Sequence, residues 1–185
     1  MNKTLTDYIR IYKNHLPSDV CDATVDYLNL CNFEVHRFYN VTGEPDIHLN
    51  ASSSFFGSTP SNTLLMEYIW KAIKQYVTEI EAPGFSGWTG FTPPKFNKYD
   101  PDTYMREHCD HIHSIFDGTR KGIPTLTVIG GLNNNYTGGN LTLFGGDDYA
   151  LKAGDVIVFP SNFMYPHAAA PVITGVRYSY VSWVW

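Results

Sequence analysis

Five residues in the second half of the chain have the types and spacing for metal chemistry. They are His108 and Asp110 in EHCDH, His167 in MYPHAAA, and Arg177 and Ser179 in GVRYSYVSW. Two imidazoles and one carboxylate can hold a divalent metal on one face and leave the opposite positions open, a donor set suited to non-haem Fe(II). His108 and Asp110 are two apart, so in extended chain both side chains leave the same face. His167 comes much later, so a fold must carry it back. Arg177 follows His167 by ten residues and shares a face with Ser179 if that stretch is a strand. A guanidinium beside a hydroxyl is a seat for a carboxylate. The neighbours in VRYSYVSWVW are too apolar for a solvated strand, and a buried guanidinium needs an anion.

His-x-Asp, a distal His, then Arg with Ser at plus two resembles the Fe(II)/2-oxoglutarate-dependent dioxygenase superfamily, and within it most the prolyl 4-hydroxylase group, in a small bacterial or viral form. The flanking segments agree. FNKYDPDTYMREHCD resembles the tyrosine-bearing approach to His-x-Asp, and TLTVIGGLNNNYTGGNLTLF the strand, Leu-Asn, Gly-Gly, strand segment. LKAGDVIVFPS and PHAAAPVITGVRYSYVSWVW resemble the closing strands. The resemblance is strong from about Phe96 to Trp185. It implies Fe(II) held by His108, Asp110 and His167, with 2-oxoglutarate chelating the metal and its far carboxylate on Arg177. Ser179, Tyr99 and Thr127 are then further cosubstrate contacts, Tyr99 because it stands where the family's carboxylate-binding tyrosine stands. Many members carry Lys where this chain has Arg177. Gly130 and Gly131 replace an aromatic pair and are expected to widen the pocket. The implied reaction consumes O2, yields succinate and CO2, and hydroxylates an unactivated C–H bond. For the nearest group that bond is C4 of a prolyl residue in a peptide or protein. Ascorbate is an optional reductant. A hydroxylase of a free amino acid or other small molecule stays open, as does a metal-binding module without turnover.

Composition narrows the classes. At 185 residues one domain is expected, with 1–90 as N-terminal helices and strands and 91–185 as the core bearing the metal site. A hydrophobic fraction of 43% and an aromatic fraction of 15% exclude a disordered chain. Thirteen basic against eighteen acidic residues give −5, which argues against generic nucleic-acid binding. No apolar run reaches a membrane span or a signal peptide. Three cysteines, Cys21, Cys31 and Cys109, suit reduced thiols in a cytoplasm, or a host cytoplasm for a viral protein.

The elements that must position these residues follow from periodicity. Tyr8–Tyr12 reads as a first strand. LPSDVCDATVDYLNL reads as a helix capped by Ser18, with Val20, Val25 and Leu28 inward. FEVHRFY reads as a strand, and residues 40–62 as an irregular connection. Leu65, Ile69, Ala72, Tyr76 and Ile80 mark one face of a long helix that ends at Pro83-Gly84. Eight strands are then expected, near 95–99, 104–108, 125–132, 139–144, 149–151, 156–159, 164–169 and 175–184. Many short strands after two helices predict a mainly β fold: a double-stranded β-helix, or jelly roll, with the N-terminal helices buttressing one sheet. Loops 40–62 and 111–124 would border the substrate cleft. His111 and His113 stay outside the ligand set, because Asp110 precedes both. Cys109 should point away from the ligands as a buried, inert thiol. Tyr104, Met105 and Trp183 are candidate pocket walls.

Overall fold

The computed structural model describes residues 3–39, 45–46, 50–81, 87, 89–110 and 124–185. The chain starts with a short 3₁₀ turn at Leu5–Tyr8 and strand β1 (Arg10–Tyr12), then helix α1 (Ser18–Leu28). Short strands β2 (Glu34–Val35), β3 (Phe38–Tyr39), β4 (Pro45–Asp46) and β5 (Ser53–Phe55) lead to helix α2 (Asn62–Ile80). The later elements among the described residues are strands: β6 (Lys95–Tyr99), β7 (Met105–His108), β8 (Leu126–Gly131), β9 (Tyr136–Gly138), β10 (Leu141–Leu143) and β11 (Asp147–Tyr149). The series closes with β12 (Val156–Pro160), β13 (His167–Ala169), β14 (Val172–Gly175) and β15 (Arg177–Val184).

A seven-stranded sheet, ordered β1-β12-β8-β15-β6-β5-β2, faces a four-stranded sheet, ordered β11-β10-β13-β7. This is the expected jelly roll, and every pairing within the two sheets is antiparallel. Its larger sheet is buried on both faces, and the period of two sorts each strand between them. Leu126, Val128, Val156, Val158, Tyr178, Tyr180 and Val184 turn outward onto Val20 and Leu28 of α1 and onto Leu65, Ile69, Ile73 and Tyr76 of α2. Ile129, Ile157, Phe159 and Val181 turn inward to meet Leu141 and Leu143 of the smaller sheet. The helices therefore buttress one sheet, and the other face of that sheet is free to build an interior. Tyr12 and Leu16 pack in the same cluster as strand residues of the second half, so the two halves share one core.

Several boundaries differ from the sequence reading. Pro17, not Ser18, occupies the N-cap of α1, and no side chain caps it. The long helix buries all five expected positions but stops at Glu81, whose φ of 44° is left-handed. Pro83-Gly84 lies outside the described residues. The Phe33–Tyr39 strand is two short pieces, the second paired in a hairpin with β4. The 139–144 strand is preceded by a separate β9, and 147–149 replaces 149–151. Residues 175–184 split at Val176, giving β14 and β15. The connection over 40–62 is not uniformly irregular, because Ser53–Phe55 joins the large sheet beside β6. Much of 40–49 and all of 111–123, including His111 and His113, lie outside the described residues. No helix among the described residues is long and apolar enough to cross a membrane.

Candidate metal centre and cosubstrate pocket

His108 is the last residue of β7 and His167 the first of β13, and the two are partners across that antiparallel pair. Their rings sit 4.4 Å apart, centroid to centroid. Asp110, two residues past His108, brings Oδ1 to 3.7 Å from Nε2 of each histidine. One ligand atom from each of the three lies within 4.8 Å of the others. That spacing suits three donors around one ion.

Second contacts fix how these donors point. His108 Nδ1 donates to the Arg106 carbonyl at 2.8 Å, and His167 Nδ1 donates to the Tyr165 carbonyl at 3.1 Å. A carbonyl only accepts, so the proton of each neutral ring is on Nδ1 and the Nε2 lone pair faces Asp110. Phe159 packs edge-on against His167, with ring centroids 5.1 Å apart. The His108 ring is pushed down to about 4, by loss of water around it first and by neighbouring His167 next. It is therefore a neutral ligand at physiological pH. Burial pulls the other way on Asp110 and would raise its pKa. The two imidazoles and the Thr127 hydroxyl outweigh it and hold the carboxyl below its usual value. The buried indole N–H of Trp183 adds to that pull without a hydrogen bond of normal geometry.

Thr127 was expected beside the cosubstrate, and it does face inward. Its hydroxyl, however, donates to Asp110 Oδ2 at 2.5 Å and accepts from Ser161 Oγ at the same separation. It does not line the cavity. Ser161 and Thr127 thus form a short relay that orients the carboxylate from behind.

The cavity beside the three donors has a volume of about 620 Å³. Arg177 and Ser179, at the start of β15, both line it, and Tyr99 is directly across from Arg177 on β6. The guanidinium stacks on the Tyr99 ring at 4.7 Å. Arg177 is 2% exposed, and its Nη1 has no hydrogen-bond partner among the described residues. A buried cation with an unmet donor is strong physical evidence for an anionic ligand. The donor set and this unmet guanidinium together fit Fe(II) and 2-oxoglutarate.

Met105 and Trp183 are walls of the cavity, while Tyr104 is not. Gly130 and Gly131 do not widen it. A Cβ at Gly130 would fall on the Tyr180 ring, on the helix side of the sheet, and one at Gly131 would meet the Lys152 carbonyl. Cys109 does turn from the ligands, its thiol donating to the Phe163 carbonyl at 3.6 Å, but it is half-buried rather than buried. Burial and then Asp110 push that thiol up. Several lining residues were missed by the sequence reading, Lys95, Asn97 and His36 among them. Lys95 and Asn97 were within reach, since both stand an even number of residues before Tyr99 in one strand and so share its face. His36 lies on a distant short segment and gave no such signal.

Residues 94–185 match the model of the 2OG-Fe(II) oxygenase superfamily, and through this segment the chain belongs to that superfamily. Two curated relatives are PKHD-type hydroxylases. One, from Acinetobacter baumannii, is 31% identical over 98 residues, covering 50% of this chain and 42% of the relative. The other, from Delftia acidovorans, is 34% identical over 98 residues, covering 49% and 42%. The match thus spans less than half the length of these relatives. Among solved structures, the fold resembles a viral collagen prolyl hydroxylase from Paramecium Bursaria Chlorella virus-1, with a TM-score of 0.69 and 14% identity over 96% of this chain and 94% of that one. It also resembles a Trichoplax adhaerens prolyl hydroxylase bound to a hypoxia inducible factor peptide, with a TM-score of 0.71 and 19% identity over 97% and 84%. A Pseudomonas putida prolyl-4-hydroxylase gives a TM-score of 0.66 and 20% identity over 95% and 91%.

Proposed function

We propose that this chain is an Fe(II)- and 2-oxoglutarate-dependent hydroxylase acting on a prolyl residue in a peptide or protein, at C4. The observation that carries the chemistry is the placement of two Nε2 atoms and one carboxylate within 4.8 Å, in a cavity where the Arg177 guanidinium has no anionic partner among the described residues. His108, Asp110 and His167 would hold the metal. Arg177 would clamp the far carboxylate of 2-oxoglutarate, with Ser179 and Tyr99 beside it. The bound metal and cosubstrate supply the oxidation: 2-oxoglutarate and O2 become succinate and CO2, and one oxygen atom ends as the hydroxyl on the substrate carbon. The protein's share is geometry. The two Nδ1–H bonds and the Ser161–Thr127 relay keep the three donors aimed at one point before any ligand arrives. Val181, Ile129 and Leu141 make the surroundings apolar, which strengthens the Arg177 ion pair and limits water.

The prolyl substrate is supported by the names of the three structural neighbours, which share the fold. We read residues 1–185 as one catalytic domain on the strength of the shared core, and the three free cysteines favour a cytoplasm. The test is an anaerobic titration of the Fe(II)-loaded protein with 2-oxoglutarate, followed by its visible charge-transfer band. The band should appear in wild type, vanish in His167→Ala, and need far more 2-oxoglutarate in Arg177→Ala. Succinate release with a panel of proline peptides then tests the substrate. Iron binding without the band would reduce the protein to a metal-binding module.

A further inference from the structure

The cavity holds a second buried cation that neither the three donors nor Arg177 uses. Lys95 opens β6, on the face that carries Asn97 and Tyr99, and is 7% exposed. It lines the cavity, yet it has no carboxylate partner among the described residues. Its Nζ donates to His36 Nδ1 at 3.3 Å and otherwise faces the rings of Phe56 and Trp183 at 5.4 and 5.8 Å. A neutral imidazole and two aromatic faces solvate an ammonium without neutralising it. Burial draws the amine down to about 8 while Asp110 pulls the other way, so it stays largely protonated at neutral pH. Asp110 makes no ion pair with Lys95 and, in the hydroxylase reading, is taken by the metal.

Counting charges points to the missing partner. 2-Oxoglutarate has two carboxylates, one for the metal and one for Arg177. Along the sheet Arg177 pairs with Tyr99 and Lys95 with Val181, so four residues of strand, roughly 13 Å, separate the two cations. A carboxylate seated on Arg177 is out of reach of Lys95. With no carboxylate partner among the described residues, Lys95 is left for an anion from another molecule.

Building on the hydroxylase reading above, we propose that Lys95 is a specificity residue that binds a carboxylate of the substrate. The enzyme then selects substrates with an acidic group next to the carbon that is hydroxylated. That carboxylate comes from an acidic side chain beside the target residue of a peptide, or from the α-carboxylate of a free amino acid.

Two ligand pairs separate these sources. One is a capped proline peptide with glutamate next to the proline, against the same peptide with glutamine. The other is free L-proline against L-prolinamide. Affinity for the Fe(II)- and 2-oxoglutarate-loaded protein is measured without oxygen by calorimetry, beside the charge-transfer titration of 2-oxoglutarate. In wild type the acidic member of one pair should bind about tenfold more tightly than its neutral twin. Lys95→Met should erase that preference, Lys95→Arg should keep part of it, and neither should move the 2-oxoglutarate titration. Equal binding in wild type, no binding by either acidic ligand, or a preference that survives Lys95→Met overturns the proposal. So does a Lys95→Met variant that shifts the 2-oxoglutarate titration instead, which assigns the amine to the cosubstrate. Circular dichroism confirms that both variants are folded. Absence of the charge-transfer band in wild type sinks the hydroxylase reading itself, and this inference with it; a normal band with no acidic preference sinks this inference alone.

Discussion

At the scale of single residues, the centre depends on groups that never touch a metal. Thr127 has one proton to give and gives it to Asp110 Oδ2, while Ser161 fills its acceptor side. Thr127→Val keeps the shape and removes the donor. It should weaken metal binding by about tenfold to a hundredfold, the usual cost of losing an outer partner of a ligand. A Co(II) titration of wild type and variant measures this, and equal affinities would show that the relay is only packing. His108 gives a second prediction. Its ring titrates at about 4 in the folded protein against a reference of 6.5. Between those values the unfolded chain binds the additional proton, so folding stability falls as pH drops from about 6.5 towards about 4. Denaturant melts of metal-free protein across that range should show the loss, and His108→Asn should flatten part of it. His36, held down to about 3 by burial and then by Lys95, contributes in the same direction and will leave a residual slope.

At the scale of elements, β8 and β15 do the positioning. Both are buried on both faces, so a change on the helix side tests whether the two faces are independent. Gly130 is absent from the cavity wall and lies under Tyr180, whose ring is fully buried beside α2. Gly130→Ala would overpack that layer and should cost about 1–3 kcal/mol of stability. The urea midpoint should fall with an unchanged slope, while Co(II) affinity stays at the wild-type value. A stable variant with a damaged metal site would mean that the glycine belongs to the interior after all. The same two-faced burial explains what was readable. The stripe Leu65, Ile69, Ala72, Tyr76 and Ile80 was plain because one helix face alone decides it, and all five are buried. The 175–184 stretch was misread as continuous, because Gly175 takes a φ of 76° that separates β14 from β15. That break depends on the partner strands, which local pattern does not show.

At the scale of the whole molecule, the candidate metal site ties together segments that are distant in the chain. His108 and His167 stand on adjacent strands of the small sheet, while Thr127 and Arg177 come from the large one. Ligand binding should therefore stabilise the entire fold rather than one loop. With ligand at a hundred times its Kd the gain is about 2.7 kcal/mol, which for a chain of this size is roughly 5–10 °C in Tm. Calorimetry with Mn(II) and 2-oxoglutarate should show a rise of that order and its reversal by a chelator. The rise should be largely lost in Asp110→Ala.

The sequence by itself determined the donor set and the class of fold. Residue types in a fixed order, His108, Asp110, His167 and Arg177, carry their chemistry wherever the chain goes, and alternation with period two sets which strand residues share a face. It also determined that the helices would lie on one sheet, because their apolar stripes need a flat partner. Only the tertiary structure decided what each inward side chain meets. Thr127 turned to Asp110 rather than to the pocket because Ser161 and Asp110 arrive from other segments. Gly130 and Gly131 went to packing because Tyr180 and the Lys152 backbone occupy the space beside them. Lys95 became a buried cation because β5 and β15 flank it and His36 closes over it. Contacts between residues far apart in the chain are set by sheet order and register, and no local pattern encodes those.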